Sequence, residues 1–122
     1  MPELNKVLIA GRLTGDPTQK ATPDGIYVSA FTIAVNHYTK NKQEKSVSFF
    51  DVVASGNTAK FIVGYLKKGN HVLVDGRLRQ VKYKVDIDGE EKMRSRVEIV
   101  INSIFSLEPR TDKAIEEESI IE

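Results

Sequence analysis

Between Val72 and Lys84 the chain alternates with a period of two, and this stretch restricts its conformation more than any other. Val72, Val74, Gly76 and Leu78 make one set, and Leu73, Asp75, Arg77, Arg79, Val81 and Tyr83 the other. Successive side chains of a strand point to opposite faces. The first set is therefore an apolar face, and the second projects Arg77, Arg79 and Tyr83 together toward solvent. Cations that attract phosphates, beside a ring that stacks on a base, are what an unpaired nucleic acid strand requires.

Leu4 to Thr14, Ile26 to Asn36 and Val47 to Ser55 read as three earlier strands, with Phe31, Ile33 and Val35 sharing one face. Asp16-Pro17 and Thr22-Pro23-Asp24-Gly25 mark a loop between the first two. The polar run Thr39 to Lys45 is a loop or protruding tip. After Ser55 the period changes. Phe61 with Tyr65, and Ile62 with Leu66, fall at i, i+4 spacing and predict one short helix. Asn57 is its expected N-cap, Lys67 and Lys68 suit its last turn, and Gly69 suits a left-handed C′ position. Two further strands, about 71–85 and 93–107, join through Asp86-Ile-Asp-Gly89, a hairpin signal. The core is expected to hold Phe31, Phe61, Tyr65 and Phe105.

The chain has 122 residues, enough for one domain with a core, and its net charge of +1 conceals an asymmetry. Residues 110–122 carry two cations against five acids, a net of −3, so the rest carries +4. With no cysteine there is no disulfide or thiolate metal site, and two histidines are too few for a metal cluster. The acids Asp86, Asp88, Glu90 and Glu91 are explained by turn chemistry and solubility. No Gly-rich phosphate loop, catalytic triad or metal-ligand spacing appears, so neither an enzyme nor a cofactor is expected. No apolar run approaches a membrane span and no signal-peptide pattern opens the chain, so cytoplasmic residence is the expectation.

Five strands with a helix between the third and fourth is the order of the OB-fold, an all-β, five-stranded Greek-key barrel. Particular segments narrow this further. Asn5-Lys-Val-Leu-Ile-Ala-Gly-Arg-Leu13, Asp16-Pro17, Gly25 with Val28-Ser-Ala-Phe-Thr-Ile-Ala34, and Tyr65-Leu-Lys-Lys-Gly-Asn-His-Val-Leu-Val-Asp-Gly-Arg-Leu78 occur in this order. Together they make residues 1–109 resemble the bacterial single-stranded DNA-binding protein family. The resemblance implies sequence-independent binding and protection of single-stranded DNA in replication, repair and recombination. It also implies a homotetramer, cytoplasmic and nucleoid-associated, with an acidic C-terminal tip that recruits replication and repair proteins.

The family's stacking aromatics fall on Tyr83 and Phe49, and near Tyr38, which lies one place early. Ser55 occupies a position often aromatic in the family, and the chain has no tryptophan. Phe49 shares parity with Asp51, Val53 and Ser55, the more polar set, and Asp51 there calls for an arginine partner. Arg12, Arg77, Arg79, Lys82, Lys84, Arg94 and Arg96 are the backbone-contact candidates, joined by Lys40 and Lys42 beside Tyr38. The expected division is a DNA-binding domain over 1–109 and a disordered acidic tail over 110–122. That tail lacks the family's long linker and terminal aromatic, and its partner-binding candidates are Glu116, Glu117, Glu118, Ile120 and Ile121. Two other readings stay open: a single-stranded RNA-binding OB module, which would use the same cations and rings, and a primosome-type protein–protein adaptor with a reduced DNA site, to which the lack of tryptophan and of an aromatic at Ser55 points.

Overall fold

The structure, a computed structural model, describes residues 3–38 and 45–109, with Tyr38 and Lys45 as backbone only. Its elements in chain order are β1 (Val7–Leu13), β2 (Thr18–Ala21), β3 (Tyr27–Tyr38), β4 (Lys45–Ser55), α1 (Gly56–Tyr65), β5 (His71–Ile87) and β6 (Glu90–Ser106). The sheet order is β1-β5-β6-β4-β3-β2, and β1 also pairs with β3. That last pairing closes a ring of five strands, with β4 and β6 parallel and the other neighbours antiparallel. The result is the OB-fold that the order of elements implied.

Alternation along each strand supplies the core. Leu13, Phe31, Ile33, Val52, Val72, Val74, Ile99 and Ile101 point inward and are buried. The helix closes the barrel with Ala59 and Ile62, and Leu66 follows at its C-cap. Burial of this apolar surface is the main stabilising term, at roughly 1.5–3 kcal/mol for each large side chain. Ring closure brings backbones close together at two glycines. A Cβ on Gly11 would collide with the carbonyl oxygen of Ala34, and one on Gly76 with that of Val100.

Gly76 also marks a change of register. Asp75 lies opposite Ser103 but Gly76 opposite Ile101, so Asn102 is the extra residue of a β-bulge. Bulges bend a strand and increase its twist. From there the β5–β6 hairpin runs on to a tight turn at Asp88-Gly89, where φ is 53° and 79°. Positive φ at both central residues is what a type I′ turn requires, and Asp-Gly supplies it. The side-chain amide of Asn5 braces the base of this arm. It accepts from Leu78 N–H at 2.8 Å and donates to Leu78 C=O at 2.7 Å, standing in for a strand partner.

Several expectations need correction. The loop expected after β1 contains a four-residue strand, β2, which is exposed throughout and so carries no apolar alternation. The helix N-cap is Ser55, not Asn57, and the C-cap is Leu66, so Lys67 and Lys68 lie beyond the last turn. Their backbone N–H groups are used by the Asn70 and Asp16 side chains. Gly69 does have φ of 89°, but in the turn after the helix rather than at C′. Phe31 is core, whereas Phe61, Tyr65 and Phe105 are exposed. The helix buries the stripe through Ala59 and Ile62, leaving Phe61 stacked on Tyr65 at 5.1 Å on its outer side. Among the described residues no helix is long and apolar enough to cross a membrane.

Candidate nucleic-acid interface

A two-residue turn fixes every pair along the hairpin. Arg77 lies opposite Val100, Arg79 opposite Glu98, Val81 opposite Arg96, and Tyr83 opposite Arg94. Directly opposed residues share a face. One face of the hairpin therefore carries Arg77, Arg79, Val81 and Tyr83 from β5, with Arg94, Arg96 and Glu98 from β6. The guanidinium of Arg96 sits 5.5 Å from the centroid of the Tyr83 ring. A cation over a ring face is attracted by the ring's quadrupole and holds it in place. Among the described residues, Arg77, Arg94 and Arg96 have no carboxylate partner.

The same face continues across the barrel wall. Val53 is level with Val100 in the parallel β4–β6 pair, so counting back by twos puts Asp51 and Phe49 on the same face as Glu98 and Arg96. Across β3 and β4, Thr32 lies opposite Asp51 and Ala34 opposite Phe49. Phe49 is 63% exposed and Tyr83 39%, so both rings offer surface to a ligand. Phe50, of opposite parity, is the more covered of the adjacent pair. The face encloses an open cavity of about 560 Å³, whose lining includes Thr32, Asp51, Val53, Arg96 and Glu98.

Other candidates lie elsewhere. Lys82 and Lys84 have the opposite parity to Tyr83 and project from the reverse face of the hairpin, where Lys84 pairs with Glu91 at 3.5 Å. Arg12 stands on β1 opposite Ala34, at the closing seam, where it donates to the Gly69 carbonyl at 2.9 Å and pairs with Glu108 at 3.5 Å. The side chain of Tyr38, the residues Lys40 and Lys42, and the tail residues Glu116, Glu117, Glu118, Ile120 and Ile121 lie outside the described residues.

Two acids alter the expected electrostatics. Asp51 does not take an arginine; its Oδ1 accepts the Thr32 hydroxyl at 3.1 Å. The arginine partner belongs instead to Glu98, whose Oε1 accepts from both Nε and Nη2 of Arg79. Glu98 was missed in the sequence, although it could have been found. Counting by twos from Arg96 reaches it, and a two-residue turn at Asp88-Gly89 pairs it with Arg79. Among the described residues, no group of three or more histidine, cysteine or acidic side chains is placed to hold a metal ion.

A profile of the Single-strand binding protein family matches residues 4–107. The single-stranded DNA-binding protein of Bacillus cereus is 39% identical over 109 residues, covering 88% of this chain and 62% of its own length. That of Bacillus anthracis is likewise 39% identical over 109 residues, so this chain spans only about three fifths of either Bacillus relative. Single-stranded DNA-binding protein 2 of Staphylococcus aureus is 40% identical over 111 residues, 89% of this chain and 77% of that one. Among solved structures, the Plasmodium falciparum SSB complex with ssDNA superposes with a TM-score of 0.75 at 26% identity, covering 88% of this chain and 98% of that one. The barrel, the hairpin face and a match running from Leu4 to Leu107 agree: the chain belongs to the single-strand binding protein family.

Proposed function

We propose that this chain binds single-stranded DNA stoichiometrically and without reading its sequence, as a protective coat in replication, repair and recombination, and that it is not an enzyme. The observation that carries this reading is the shared face of Arg77, Arg94, Arg96 and Tyr83, continuous with exposed Phe49. Arginines neutralise phosphates and release condensed counterions. Tyr83 and Phe49 stack on bases, and every base has a π-face, so any sequence is accepted. Relatives at about 40% identity carry the name single-stranded DNA-binding protein.

The binding unit in this reading is residues 1–109, and 110–122 is an acidic tail that recruits replication and repair proteins. Tyr38, Lys40 and Lys42 extend the DNA surface from the β3–β4 connection. Lys82, Lys84 and Arg12 meet the strand where it passes around the arm and the seam. The assembly is a homotetramer working in the cytoplasm on the nucleoid.

Competition for a labelled deoxythymidine oligomer tests the reading. Unlabelled single-stranded DNA of any composition should displace it, duplex DNA should fail, and matched RNA should compete more weakly. RNA competing more strongly than DNA would reassign the chain to RNA. No binding of the labelled oligomer at low salt would favour a protein–protein adaptor.

A further inference from the structure

Glu98 is the one buried charged side chain among the described residues, 5% exposed, and it lies in the face that must receive a polyanion. A carboxylate there repels phosphate, and its burial is strongly unfavourable unless it is paired. Its partner explains the placement. Arg79 offers the Nε–Nη2 side of its guanidinium to Glu98 Oε1, and stays 51% exposed. A guanidinium has five N–H donors in a rigid fork. Engaging the Nε side leaves the Nη1–Nη2 end directed away from Glu98.

Register and alternation put Thr32, Asp51, Glu98 and Arg79 on one face, with Thr32 opposite Asp51 and Arg79 opposite Glu98. The hydroxyl serves Asp51 and the guanidinium serves Glu98, and both carboxylates line the same open cavity. A phosphate at the free end of Arg79 would feel both. A base carbonyl or ring nitrogen belongs to a group with no net charge and would be repelled far less. Arginine donates well to such acceptors, as it does to O6 and N7 of guanine.

We infer that Glu98 is a positioning residue that removes Arg79 from the phosphate-neutralising cations and fixes it as a directed hydrogen-bond donor to nucleobases. The inference rests on the single-stranded DNA reading above and assigns a distinct role within that face. Arg77, with no carboxylate partner among the described residues, is its natural control.

The salt dependence of binding separates the roles. For single strands each neutralised phosphate contributes about 0.7 to the slope of log affinity against log salt. With a deoxythymidine oligomer, Arg77→Gln should make the slope shallower by about 0.7 and Glu98→Gln steeper by about 0.7. The double variant Arg79→Gln with Glu98→Gln should keep the wild-type slope. Its affinity extrapolated to molar salt should nevertheless fall about 3- to 10-fold, the loss of a hydrogen bond. Arg79→Lys, which keeps the charge without the fork, should likewise keep the slope and lose affinity at high salt. This variant keeps a cation opposite buried Glu98, so it remains informative if thermal unfolding shows that Glu98→Gln is misfolded.

An unchanged slope in folded Glu98→Gln, a double variant as shallow as Arg77→Gln, or an Arg79→Lys variant indistinguishable from wild type would each overturn the inference. Loss of all wild-type binding at low salt would remove the underlying reading as well; the other outcomes leave it standing.

Discussion

The guanidinium of Arg96 lies over the ring of Tyr83, 5.5 Å from its centroid, although Arg96 is opposite Val81 and the contact is diagonal. Long side chains reach such diagonal neighbours across a pair of antiparallel strands. One face of the ring is thereby covered by a cation, while the residue as a whole stays 39% exposed. Tyr83→Ala should weaken binding of a deoxythymidine oligomer by roughly 1–3 kcal/mol, and Tyr83→Phe by much less, measured by fluorescence anisotropy. Unchanged affinity in Tyr83→Ala would make the ring a packing element.

Phe49 and Phe31 should separate binding from stability. Phe49→Ala removes a ring that is 63% exposed, so unfolding free energy should move by about 0.5 kcal/mol or less while DNA affinity drops by roughly 1–3 kcal/mol. Phe31→Ala empties a core site that is 7% exposed and should cost about 3–5 kcal/mol in chemical denaturation. A large stability loss in Phe49→Ala would mean that the ring packs rather than waits for a base.

Gly76→Ala probes closure of the barrel. The added methyl would meet the Val100 carbonyl beside the Asn102 bulge, where backbone rather than a flexible side chain must yield. The expected cost is about 1–3 kcal/mol, visible as a lowered thermal midpoint. Gly64→Ala, which meets nothing within 4 Å, should not lower it. Equal midpoints for the two variants would contradict the close-approach argument.

Deletion of residues 110–122 removes a net −3 from the chain. DNA binding should be kept or tightened, because an acidic segment competes with phosphates for the same cations. A titration showing a large loss of affinity would place part of the tail in DNA contact.

What could be read in the sequence was whatever rests on period and turn chemistry. Val72, Val74 and the odd-numbered Arg77, Arg79 and Tyr83 revealed a strand with two unlike faces, and Asp88-Gly89 gave the hairpin. β2 stayed hidden because every one of its residues is exposed, so its ladder with β3 leaves no hydrophobic trace. The helical i, i+4 pair Phe61–Tyr65 was seen, but periodicity does not say which of two adjacent apolar stripes turns inward. Packing chose Ala59 and Ile62. The cations of the site do not act as a sum. Parity already separates Lys82 and Lys84 from Arg77, Arg79 and Tyr83, and cross-strand register pairs Arg79 with Glu98. A count of positive charges contains neither fact.

The most direct test of the account is equilibrium binding of one long deoxythymidine oligomer from low to moderate salt, with wild type and Tyr83→Ala side by side. Tight wild-type binding that falls steeply with salt, and a parallel, weaker line for Tyr83→Ala, would fit charge and stacking acting together on one face. A flat salt profile, or coincident lines, would contradict it.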